Sequence, residues 1–149
     1  VIIINNIIIP MIGVGKYKLN SCIKEYYNDI KKYSIEKDML LIGEFIIRYN
    51  INNKLYLFFN INKIVRFKIS ILNNDIGQME NGICIGMHIN EVLRIEPQLT
   101  YDDFEEIYSM KGVAIETNPC NDTVECITIY IEYNEDLQDE CEKFEKGEW

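Results

Sequence analysis

The sequence predicts a single α+β domain: an antiparallel sheet with helices on one face, allowing two tandem helix-plus-meander repeats that share the sheet. Three observations predict it. Apolar and polar residues alternate over 45–51, 55–59 and 65–71, the period of half-buried strands. Ile23, Tyr26, Tyr27, Ile30 and Tyr33 recur at the spacing of one helical face. The chain has 149 residues, 48% of them hydrophobic and 26% charged, which suits one ordinary globular domain and argues against disorder or a coiled coil.

At the start, Val1 to Ile9 is almost all Ile around Asn5 and Asn6. The run is too short to span a bilayer, which takes about 20 apolar residues, and lacks the basic leader and small-residue cleavage site of a signal peptide. It reads either as an Ile-rich edge strand or as an extension upstream of a start at Met11. Asn20 is the candidate cap of a helix running to about Tyr33, with Lys31 and Lys32 in its last turn where cations favour the helix dipole. Ser34 to Asp38 breaks the pattern. A three-stranded antiparallel meander follows: Phe45–Ile51, a turn at Asn52-Asn53, a strand carrying Leu55, Leu57 and Phe59, a turn at Asn60 to Asn62, and Val65–Ile71 with Arg66, Lys68 and Ser70 as a basic outer face. Asn73 to Asp75 closes this half.

The second half begins at Asn81-Gly82. Asn90 is the candidate cap of a short helix through Val92, Leu93 and Ile95, which Pro97 stops. Thr100 to Tyr108 is acidic and reads as a helical turn or an extended connection. Strands are expected at 112–117 and 123–133 around a turn made by Asn118, Pro119, Asn121 and Asp122. From Asn134 onward, Leu137, Cys141 and Phe144 suggest a short acidic helix or tail. The expected organisation is thus one domain over 1–149, with candidate sub-repeats 11–75 and 76–133 and an acidic terminus at 134–149.

Little in the sequence points to catalysis. The five cysteines, Cys22, Cys84, Cys120, Cys126 and Cys141, are odd in number, and no pair is spaced C-x-x-C, so neither a disulfide framework nor a zinc site is indicated. They read as small hydrophobes in a reducing cytoplasm, with a Cys120–Cys126 bridge left open. His88 is the single histidine. Four residues after Cys84, it could form a Cys–His nucleophile pair, although Gly86 intervenes and a structural histidine is the plainer reading. There is no phosphate-binding glycine loop, no nucleophile elbow and no EF-hand loop. The expectation is a protein that is not an enzyme and needs no cofactor or metal.

Charge is the strongest signal. Residues 1–75 hold 11 Lys and Arg against 6 Asp and Glu, a balance of +5; residues 76–149 hold 4 against 18, a balance of -14. With a net charge of -9, nucleic acid is a poor partner and a basic protein a good one. The acidic residues concentrate at 102–106 and 132–148. Tyr101, Phe104 and Tyr108 sit among the first cluster, and aromatics ringed by charge suit either a hot spot or an ordinary core. The candidate partner-binding residues are Asp102, Asp103, Phe104, Glu105, Glu106 and Tyr108, then Glu135, Asp136, Asp139 and Glu140.

The stretch Gly82-Ile83-Cys84-Ile85-Gly86-Met87-His88-Ile89-Asn90-Glu91-Val92-Leu93, ending at Pro97, resembles the Gly-Met-x-x-x-Glu-Val-Leu helix start of small α+β repeats in the beta-lactamase inhibitory protein family and in outer-membrane-assembly lipoproteins. Lys111 to Glu116 and Val124 to Tyr130 are similar to the hairpin that follows that helix, and Gly13 to Asn20 is a looser match. Small bacterial immunity proteins of toxin systems look similar too, and the absence of a leader or lipobox favours them. The resemblance implies an immunity or inhibitor protein that binds a cognate toxin domain, a basic nuclease by preference, in the cytoplasm without membrane contact. The alternative is an envelope-assembly or beta-lactamase-inhibitor-like binding module. The oligomeric state is left open.

Overall fold

A computed structural model describes residues 6–21, 23–39, 45–60 and 65–131. The fold is mostly β and corrects the α+β expectation. Among the described residues, the helical segments are a 3-10 turn at Ile23–Glu25, α1 (Tyr27–Ile30) and α2 (Ile89–Ile95). Segments this short cannot form the helical layer that was expected over the sheet.

A first, small sheet is built from β1 (Asn6–Ile9), β2 (Gly13–Val14), β3 (Tyr17–Lys18) and β8 (Gly77–Met79), in the order β3-β2-β1-β8. β1 is therefore internal, antiparallel to β2 and parallel to β8, not an edge strand. The fully buried Ile8 faces the core. Gly77 permits the close approach of β8, because a Cβ there would lie 2.1 Å from the Asn6 carbonyl oxygen.

The large sheet has eight strands. β4 (Ser34–Met39), β5 (Phe45–Ile51), β6 (Leu55–Asn60) and β7 (Val65–Ile71) form one antiparallel meander. β9 (Thr100–Asp102), β10 (Ile107–Met110), β11 (Val113–Thr117) and β12 (Val124–Tyr130) form another. β7 and β12 pair antiparallel and join them, giving the order β4-β5-β6-β7-β12-β11-β10-β9. The expected β5–β7 meander is present, but Ser34 to Asp38 belongs to β4 and lengthens it by a strand. The acidic run 100–108, expected as a helical turn or an extended connection, is not helical; it forms the β9–β10 hairpin. The expected turn at Asn52-Asn53 stands, with both residues at positive φ. The expected turn at 61–62, Cys22, and everything from 132 onward lie outside the described residues.

Two helix caps are corrected. Asn20 has φ +58, the left-handed region, so it turns the chain and does not cap α1. The aromatic and β-branched residues of 23–33 favour a helix weakly, and only one α turn forms. In α2 the cap is His88, whose Nδ1 accepts the Asn90 amide at 3.1 Å. Pro97 follows the end of α2, as expected.

One continuous core holds the parts together. Leu57, Phe59, Ile69, Ile71, Ile127, Ile129, Val113 and Ile115 point inward from the large sheet. They meet Ile8, Val14 and Met79 of the small sheet, Ile30 of α1, and Ile89 and Val92 of α2. The alternate residues of the same strands, among them Arg48, Phe58, Lys68, Ser70, Cys126 and Thr128, face the other way.

Candidate interaction surfaces

The predicted residues 102–106 converge on the tip of the β9–β10 hairpin, at the outer edge of the large sheet. Asp102 ends β9 and Asp103–Glu106 form the loop. Asp102 Oδ1 accepts the Phe104 amide at 2.8 Å and the Glu105 amide at 3.0 Å. The Glu106 amide donates to the Asp102 carbonyl at 2.7 Å, and Glu106 takes φ +58 to return the chain into β10. The side chain of Asp102 is therefore occupied in shaping the loop. Asp103, Glu105 and Glu106 project into solvent around Phe104, which is 95% exposed.

Tyr108 lies behind the tip. It is half-buried against the core and pairs across the strands with Tyr101, ring centroids 4.7 Å apart. Partial desolvation and the nearby Glu106, Asp103 and Asp102 carboxylates hold the Tyr101 phenol above its ordinary range. Of the three aromatics, Phe104 rejects the core reading outright. Glu135, Asp136, Asp139 and Glu140 lie outside the described residues, so their relation to the tip is not part of the geometry.

A second surface was missed as a site in the sequence. It is a groove of about 570 Å³ on the face of the large sheet opposite the core. Its cations lie over aromatic rings: Arg48 is 4.6 Å from the Tyr56 centroid and Lys68 is 4.7 Å from that of Phe58. Its floor is the β7–β12 seam, where Ser70 and Thr128 share a buried hydrogen bond of 2.8 Å. Cys126 Sγ lies 3.5 Å from Thr128 Oγ1. Burial pushes the Cys126 thiol up to about 11, against the hydrogen bond with Thr128. A thiol so protonated is a poor nucleophile. Glu116 and Glu125 stand at the other end. The signal for this surface lay in the outward positions of the alternating strands, where Arg66, Lys68 and Ser70 read as a basic outer face but not as a site.

The cysteines and the histidine do not assemble a reaction centre among the described residues. Cys84, Cys120 and Cys126 are free thiols, so no Cys120–Cys126 bridge forms. His88 Nδ1 is taken by the α2 amide, and His88 bridges to Thr123 through the backbone. Among the described residues, no three His, Cys, Asp or Glu side chains are grouped to hold a metal ion, and no helix is long and apolar enough to cross a membrane. No family model matches the chain, and no curated protein or solved structure matches it.

Proposed function

We propose that this chain is an immunity or inhibitor protein: a non-enzymatic binder that neutralises a basic toxin domain, a nuclease by preference, by occluding it with an acidic surface in the cytoplasm. The observation that carries this reading is Phe104, 95% exposed at the apex of a loop that Asp102 holds in shape and three further carboxylates surround. An exposed aromatic supplies a desolvated anchor. The carboxylates steer a basic partner to it and repel nucleic acid from the same site. The -14 balance of the second half of the sequence suits the same kind of partner.

The test is binding to, and inhibition of, the toxin domain encoded by the neighbouring reading frame. Phe104→Ser should weaken affinity by about 30-fold or more, the effect of losing a hot-spot anchor. Reversing Asp103, Glu105 and Glu106 to Lys should slow association and flatten its salt dependence. Neither change should move the unfolding midpoint, because the side chains are exposed. Unchanged affinity and salt response would overturn the reading.

A second reading, a protein-binding module of the envelope-assembly or beta-lactamase-inhibitor kind, draws on the extent of the eight-stranded sheet, which offers a broad surface for a protein partner. Secretion of the native product would support it over the first.

A further inference from the structure

We propose that Asn81 is a self-modification site: its side-chain amide is lost as ammonia through attack by the Gly82 backbone nitrogen, and the fold holds this reaction in check through the hydrogen bond from Asn81 to Glu96.

Asn81-Gly82 is the only Asn-Gly pair in the sequence. An Asn before Gly is the most open to this chemistry, because glycine has no side chain to screen its nitrogen. The pair sits in the turn that follows β8. The Met79 amide donates to the Ile83 carbonyl and the Gly82 amide to the Met79 carbonyl, each at 2.9 Å. Gly82 takes φ +93 to close this turn. Asn81 is exposed, and a Cβ at Gly82 would meet nothing within 4 Å, so the turn is open to water. Asn81 Nδ2 donates to Glu96 Oε1 at 2.9 Å, which ties the turn to the end of α2. Asn81 Oδ1 accepts the Ile83 amide at 3.3 Å.

In the reaction the Gly82 nitrogen bonds to Asn81 Cγ and the Cγ–Nδ2 bond breaks. The Gly82 amide proton leaves with the side-chain nitrogen as ammonia, and a five-membered succinimide closes. Water then opens the ring at either carbonyl, giving aspartate or isoaspartate. Attack requires the Gly82 N–H to leave the Met79 carbonyl and the Asn81 side chain to swing off Glu96 over its own backbone. The reaction therefore proceeds from locally opened molecules, and its rate follows their population. The product locks itself open. A carboxylate replaces the donor that faced Glu96, and two carboxylates repel. Isoaspartate also adds a carbon to the main chain, so the two Met79 hydrogen bonds cannot both close. Met79 and the fully buried Ile83 anchor the end of β8, the strand that flanks β1, so conversion loosens that corner of the core. This proposal is independent of the hairpin-tip reading.

The experiment ages the full chain, folded in buffer and, separately, unfolded in guanidinium chloride, at one pH and temperature. Peptide mass mapping follows the amide-to-acid mass increase at each Asn, and labelling with an isoaspartyl methyltransferase measures the isoaspartate. Asn81 should convert about tenfold more slowly, or slower still, in the folded chain than in the unfolded one. Glu96→Ala should speed conversion of Asn81 in the folded chain about threefold, with the other Asn residues unmoved. Glu96→Gln keeps the accepting oxygen and should hold the wild-type rate. Circular dichroism melts show that each variant is folded, and the aged, converted protein should melt below the fresh one. Equal rates in the folded and unfolded chain, equal rates for the two Glu96 variants, or an Asn81 that does not convert when unfolded would overturn the proposal.

Discussion

Cys126 shows how a single buried side chain can tie stability to pH. Its thiol is 7% exposed, and burial lifts it from an ordinary value of 9.0 to about 11. The folded state therefore holds the proton more tightly than the unfolded chain. The associated stability is whole below pH 9 and declines as pH rises through 11, because the unfolded chain ionises first. The stability advantage of the wild type over Cys126→Ala should fall by about 2–3 kcal/mol across that window. Urea midpoints of the two proteins at pH 8 and pH 11 check this, and a constant difference would rule it out. Gly112 is a second residue with an outsized role. Its φ of +79 favours glycine, and a Cβ there would come within 2.6 Å of the Met11 side chain, so the β10–β11 turn nests against the β1–β2 turn most easily with glycine.

At the scale of elements, β1 decides whether residues 6–10 belong to the fold. It pairs on both sides and buries Ile8. Deleting residues 1–10, as a start at Met11 would, removes an internal strand and leaves β8 without a neighbour. The expected cost is about 3 kcal/mol or more from Ile8 alone, with the lost ladder added. A thermal melt by circular dichroism should show a large drop in midpoint or no cooperative transition; an unaltered melt would show β1 to be dispensable. The elements that the sequence concealed follow a rule. β4 and β9 are the two outermost strands of the large sheet, and both carry charged residues where apolar alternation would mark a strand. Edge strands bury less and use charge to discourage pairing with other chains, so their periodicity is faint. β5, β6 and β7 lie further inside the sheet, and Leu55, Leu57, Phe59, Ile69 and Ile71 announced them. β2 and β3 have two residues each, too few for any period to register.

Across the whole molecule, the two halves of the chain, 1–75 and 76–149, are bound to each other twice. β7 pairs with β12 in the large sheet, and β1 pairs with β8 in the small one. Both halves feed the same core cluster. Unfolding should therefore be one cooperative transition, with far-ultraviolet circular dichroism and tyrosine fluorescence tracing the same urea curve. Separate transitions would show that the halves melt independently. The charge asymmetry was plain in the sequence, and so was the clustering at 102–106. That these residues crown a hairpin was not, because an acidic run with aromatics fits a helical turn equally well until its neighbour strand is known. The groove was harder to foresee, since Arg48, Lys68 and Glu116 come together only through β-strand order, and a linear pattern does not encode that order.

The parallel pairing of β1 with β8 also bears on how the molecule assembles. Asn6 meets Gly77, a partner that leaves the ribosome about 70 residues later, whereas the β5–β6 and β6–β7 ladders close over short loops. Hairpins in the middle of the chain can thus zip up while the amino-terminal strand still waits for its second neighbour. β1 is fastened late, and a nascent chain stalled before Gly77 would leave this Ile-rich strand with one flank unprotected against association with other chains.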